Sequence, residues 1–322
     1  MNARATHTTA LLMLLLTNFL WGFSFPLLKA IAFQHEQLLP GSGNWFITGM
    51  SLAPRFLLGA VFMVAISWRQ LRTLTAGERA QGLRLGVAAS LGMLFQIDGL
   101  QFISASTSAF LTQFYAIMIP VLLALRSWRS PGARVWTACV LVLAGVAVLA
   151  QFNLREFHLG RGEAETLLSS VFFMWQILLL EDKRYTGNRV RPVTTLMFAT
   201  QAVALGLFAA TTAPSAGALL VPWTSGAWLA FTVILTALCT IAAFLLMNRF
   251  QPAITATEAG LIYCTEPIFT SVLALFLPAL LARWGGFAYP NETLTWRLLL
   301  GGGLITVANL LLQFRPPPKA EM

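Results

Sequence analysis

Long apolar runs separated by short polar joints dominate the chain. Ten can be marked, over residues 10–33, 46–68, 83–102, 104–125, 134–151, 164–181, 193–213, 227–248, 254–277 and 294–314. A helix rises about 1.5 Å per residue, so roughly 20 apolar residues cross a hydrocarbon layer of about 30 Å. The runs are continuous, where the strands of a membrane barrel would alternate over about 10 residues, and this excludes a barrel. The pattern predicts an all-α integral membrane protein with ten transmembrane helices. The third and fourth runs are joined by little more than Ile103-Ser104, which predicts a tight helical hairpin.

Composition agrees with that pattern. Hydrophobic residues make up 57% and charged residues only 10% of the 322, whereas soluble domains carry about a quarter charged. A net charge of +9 would suit nucleic acid, but the basic residues lie in the joints, as membrane topology demands. The expected partners are therefore the lipid bilayer and a small-molecule solute, with no nucleic acid. With the N-terminus in the cytoplasm, fifteen of the twenty-one Lys and Arg fall on the inner side. Arg155, Arg161 and Arg283 fall outside, and Lys29, Arg55 and Arg297 lie within helices. This predicts a multi-pass protein of the plasma membrane (the inner membrane, in a bacterium) with both termini cytoplasmic. Cys139, Cys239 and Cys264 stand singly, and His7, His35 and His158 are unpaired, so neither disulfide, metal nor cofactor is expected. The first run lacks a small-residue cleavage site and continues to Ala32, which predicts a retained helix.

The two halves resemble each other. Trp21 and Lys29 fall on Trp175 and Lys183, Ile103-Ser-Ala-Ser falls on Ile254-Thr-Ala-Thr, and Trp136 falls on Trp296. The order of matches predicts two repeats, over 1–151 and 164–315, with an insertion near 278–291 in the second. Five spans per repeat is odd, so the second copy must enter the membrane inverted. Inverted repeats with a site at their interface are a transporter architecture.

Several stretches then resemble the EamA-type permeases of the drug/metabolite transporter superfamily. They are Trp21-Gly22-Phe23-Ser24-Phe25-Pro26 with Lys29, Pro54-Arg55-Phe56-Leu57-Leu58, Ser104-Ala105-Ser106, Glu266-Pro267, and Glu292 ahead of Leu300-Gly301-Gly302-Gly303. The resemblance implies two inverted five-helix repeats and the export of amino acids, metabolites or toxic compounds. One departure is clear. The family's acidic residue between the fourth and fifth helices is replaced by Arg126-Ser127-Trp128-Arg129-Ser130-Pro131.

Charges inside apolar runs mark candidate substrate-binding residues, because they are costly there unless a cavity, a partner or a proton accommodates them. Glu266, followed by Pro267, sits near mid-membrane, and Thr255 and Thr270 fall within roughly 40° of it on a helical wheel. Its expected role is to change protonation or partner during transport; the alternative is a locked ion pair. Arg55 either clamps a substrate carboxylate or phosphate or pairs with Asp98. Trp21 and Trp175 either face each other over a cavity, with Asn18, Ser24, Gln113, Tyr115 and Gln176 as polar partners, or serve in helix packing. Tyr263 lies one turn before Glu266. No catalytic residues are expected: a lipid-modifying enzyme would want clustered Asp, His or Cys, and Glu181-Asp182-Lys183-Arg184 reads as a helix end. A non-transporting subunit would need no wet cavity. Protons or a counter-solute are the candidate coupling partners of a permease working by alternating access.

Overall fold

The computed structural model describes residues 3–103, 108, 111–128, 130–149 and 159–313. Every regular element among them is helical. The first three helices are α1 (Ala3–Leu38), α2 (Asn44–Leu71) and α3 (Ala76–Gly99). After them come α4 (Tyr115–Ser127), α5 (Ala133–Leu149), α6 (Arg161–Glu181) and α7 (Val190–Thr212). Helix α8 runs from Gly226–Ile234 through a π-helical stretch, Leu235–Ala242, into Ala243–Phe250. The chain closes with α9 (Ala256–Tyr263), α10 (Glu266–Ala274), α11 (Leu277–Gly285) and α12 (Trp296–Gln313).

Local sequence explains the boundaries. Thr75 accepts from Glu78 N while Glu78 accepts from Thr75 N, a capping box that starts α3. Thr255 and Glu258 do the same for α9, which puts Glu258 in its first turn. Five helices (α1, α2, α6, α7 and α8) are long and apolar enough to cross a membrane, and the bent α9–α11 stretch makes a sixth if counted as one span. Helix α3 is long enough but carries Glu78, Arg79, Arg84 and Asp98, and α4 and α5 are only 13 and 17 residues. Residues 104–107 of the expected hairpin lie outside the described residues. Exposed Val61, Val140, Val203 and Leu207 give the bundle an apolar girdle suited to lipid. This is a multi-pass membrane protein.

Packing follows small residues. Helix α2 lies on α7, α3 on both α6 and α7, α5 on α12, α1 on α8 and α10, and α4 on α6 and α9. Gly86 lets α3 approach α7 so closely that an added Cβ would meet Thr200 Cβ at 2.5 Å, and one on Gly145 would meet Gly301 O at 2.7 Å. Such close approach stands in for a hydrophobic driving force between helices in lipid.

Two ionic ties mark opposite ends of α3, about 30 Å apart along its axis. At the start, Arg189 Nε donates to Glu78 Oε1 at 2.6 Å and Nη2 to Oε2 at 2.8 Å, joining α3 to the entry of α7. At the far end, Arg161 Nη2 donates to Asp98 Oδ2 at 2.5 Å and Nε to Glu165 Oε1 at 2.8 Å, joining α3 to α6. The rings of Trp45 and Phe102 flank that guanidinium at 4.9 and 4.3 Å.

Candidate functional site

Between α1, α2, α3, the start of α4, α6, α8 and the junction of α9 with α10 lies a cavity. Its apolar walls include the rings of Trp21, Phe25, Tyr115, Phe173, Phe244 and Tyr263. Among the polar side chains on it are Ser24, Arg55, Gln96, Thr112, Gln176 and Glu266. Trp21 packs on Tyr263 and Phe244, with ring centroids 5.4 and 5.5 Å apart. The indole Nε1 of Trp21 and the Nε2 of Gln176 are buried without a hydrogen-bond partner among the described residues.

The two charges reach this space by different means. Arg55, near the middle of α2, is 3% exposed, and its Nε donates to Thr240 Oγ1 at 3.0 Å. Thr240 lies in the π-helical stretch of α8 and itself donates to Leu235 O five residues back; the widened turn turns this hydroxyl towards Arg55. Glu266 opens α10. One span with a kink at Pro267 was expected over 254–277; the helix is interrupted at Cys264-Thr265, and the chain bends by 62° between Ala274 and Leu277. Pro267 lacks the N–H that would have bonded Tyr263 O, so the break falls just ahead of it. Ile262 O accepts instead from Thr265 N at 2.9 Å and Asn18 Nδ2 at 2.6 Å. Glu266 thus stands at a helix N-terminus, where the backbone dipole favours its negative charge. Neither Arg55 nor Glu266 belongs to an ion pair among the described residues. Asp98, the partner considered for Arg55, is held by Arg161 instead.

Seven of the eleven residues marked from the sequence line the cavity: Trp21, Ser24, Arg55, Tyr115, Gln176, Tyr263 and Glu266. Four do not. Asn18 is fully buried against the helix break. Gln113 is buried beside α4. Trp175 is 37% exposed and does not face Trp21 across the cavity, since Gln176 takes the inward position on α6. Thr270 Oγ1 bonds back to Glu266 O. Thr255, expected on one polar edge with Glu266, caps α9 on the other side of the break. Gln96 and Thr112, hydrogen-bonded to each other at 3.2 Å, escaped the sequence reading. A lone amide inside an apolar run was the available signal for Gln96; Phe244 and Met247 offered none. The 278–291 insertion contains most of α11 and returns to the bundle, with Gln34 Nε2 donating to Gly285 O at 2.6 Å and the Phe33 ring 5.4 Å from that of Tyr289.

A protein of Archaeoglobus fulgidus named an uncharacterized transporter is 24% identical over 303 residues, covering 94% of this chain and 85% of its own. A solved chain described only as a crystal structure of a protein superposes with a TM-score of 0.67 at 15% identity, over 95% of this chain and 96% of that one; that likeness concerns the fold alone. No family model matches the chain.

Proposed function

We propose that the chain is a permease for small amphiphilic, amino-acid-like solutes, built as ten spans in two inverted five-helix repeats and working by alternating access. The observation that carries this reading is the cavity itself: one buried guanidinium and one carboxylate line it, and neither is ion-paired among the described residues. A zwitterion would satisfy both, its carboxylate against Arg55 and its ammonium against Glu266 and the aromatic faces. Trp21, Ser24, Tyr115, Gln176 and Tyr263 supply the remaining contacts.

The packing supports the repeat. Let α1–α5 exchange with α6, α7, α8, α9–α10 and α12. The contact of α1 with α8 becomes that of α6 with α3, and α3 on α7 becomes α8 on α2. The contact of α1 with α10 becomes that of α6 with α4, while α2–α7 and α5–α12 map onto themselves. A half-helix opening on a cavity at the repeat interface is the arrangement by which secondary transporters present charge to a solute. The name of the Archaeoglobus relative agrees with transport. Charge bias between the joints favours cytoplasmic termini in a plasma membrane, and the resemblance to EamA-type permeases favours export.

The test is flux. Proteoliposomes offered radiolabelled amino acids, nucleosides, sugars and quaternary amines should accumulate a zwitterion saturably, and Glu266→Gln should cut that flux by about 10- to 100-fold, the effect of losing one charge-assisted contact. Undiminished flux with an unchanged pH profile in Glu266→Gln, or no flux of any solute class, would reject the reading.

A further inference from the structure

We infer that Asn18 is a positioning residue for the cavity carboxylate: from α1 it holds open the break between α9 and α10 that turns Glu266 into the first residue of a new helix. The inference rests on the transport reading of that cavity. In an unbroken helix Ile262 O would accept from Glu266 N, four residues on. Here the same carbonyl accepts from Asn18 Nδ2 at 2.6 Å, Thr265 N at 2.9 Å and Thr265 Oγ1 at 2.8 Å. Asn18 Nδ2 also donates to Thr265 Oγ1 at 2.7 Å. The carbonyl that a continuous helix would hand to Glu266 N is thus engaged by Asn18 from α1 and by Thr265 at the break.

The arrangement is not one that stability alone would favour. Asn18 is fully buried, and its Oδ1 has no hydrogen-bond partner among the described residues. A buried orphan acceptor is costly, and an apolar side chain of the same shape would remove it. Leu has nearly that shape. A merely structural Asn18 would be replaced by Leu with a loss of stability and no specific loss of function; a positioning Asn18 predicts the reverse.

The experiment uses a small, charged, thiol-reactive reagent on the full-length protein in vesicles, with the buried Cys139, Cys239 and Cys264 replaced by Ala. Cysteine is placed at position 266 (Glu266→Cys) or, as a control elsewhere on the cavity wall, at position 24 (Ser24→Cys). Adding Asn18→Leu should slow labelling at 266 by about five- to tenfold, the weight of one or two lost hydrogen bonds, and leave labelling at 24 unchanged. Thr265→Val, which removes the bridging hydroxyl, should act in the same direction. In the otherwise native protein, Asn18→Leu should lower maximal flux while the melting temperature holds or rises. Equal labelling at 266 with and without Asn18→Leu, or a fall in melting temperature with flux per folded molecule intact, overturns the role of Asn18 and leaves the permease reading standing. A cysteine at 266 that resists the reagent in every background overturns both.

Discussion

In the proposed reading Arg55 and Glu266 are available to a solute because neither is ion-paired among the described residues. One nitrogen of Arg55 is tied to Thr240, which aims the planar fork. Lys at that position keeps the charge but loses the fork, so Arg55→Lys should raise KM for a zwitterionic solute about tenfold, the weight of one charge-assisted bond. The solute's methyl ester, lacking the anionic end, should be moved equally by both proteins; competition uptake checks this. Glu78, ahead of the third apolar run, illustrates the opposite case of a charge fully engaged. The Arg189 guanidinium hydrogen-bonded to it holds its carboxyl down to about 2, against an ordinary 4.5. Its contribution to stability is complete above pH 4.5 and drains away as the pH falls towards 2. Glu78→Gln should therefore cost on the order of 1–3 kcal/mol at neutral pH, with the deficit shrinking below the ordinary carboxyl range, as thermal melts in detergent across that range would read. At this scale the sequence was informative about charge. A carboxylate or guanidinium inside an apolar run announces itself, whereas Phe244 and Met247 differ in no way from lipid-facing neighbours.

Helices proved harder to read than charges. The 254–277 run looks like one span with a proline kink; the structure divides it ahead of Pro267, where Asn18, 244 residues from Ile262 in sequence, takes a carbonyl. No local pattern carries a contact of that range. The π-helical stretch of α8 is equally silent, since its composition matches any apolar helix. The close approach of α1 to α10 was partly visible as Gly22 within the Trp-Gly motif. An added Cβ at Gly22 would meet Phe269 Cβ at 2.8 Å and Thr270 N at 2.9 Å, and part of that obstruction is backbone. Gly22→Val should push α10 outwards, lower the melting temperature and abolish saturable flux, whereas Gly206→Val, with open space around it, should change neither; paired melts and uptake assays distinguish the two.

For the molecule as a whole, the two ionic ties stand at opposite ends of α3, where the proposed alternating access would have them oppose each other. Arg161 binds Asp98 and Glu165 just beyond the cavity-lining Gln96 and Ile97, on the side that the charge bias puts outside. Releasing it with Arg161→Ala should speed labelling of Ser24→Cys by an impermeant reagent added outside, and Arg189→Ala should favour reagent from the inside. Sidedness assays in oriented vesicles measure both. The coarse architecture was the most legible level: run lengths and composition predict an all-helical, multi-pass membrane protein, and the described elements are helices, five or six of them long and apolar enough to span. Which helices touch was not legible, because small residues such as Gly86 and Gly145 select partners through space. The widened turn of α8 also makes chain length itself a determinant of the binding wall. Excising one residue between Leu235 and Ala242 would return the helix to an ordinary pitch and swing everything downstream by about 100°. Phe244 and Met247 would then face lipid, and the cavity would lose a wall through a change that leaves hydropathy untouched.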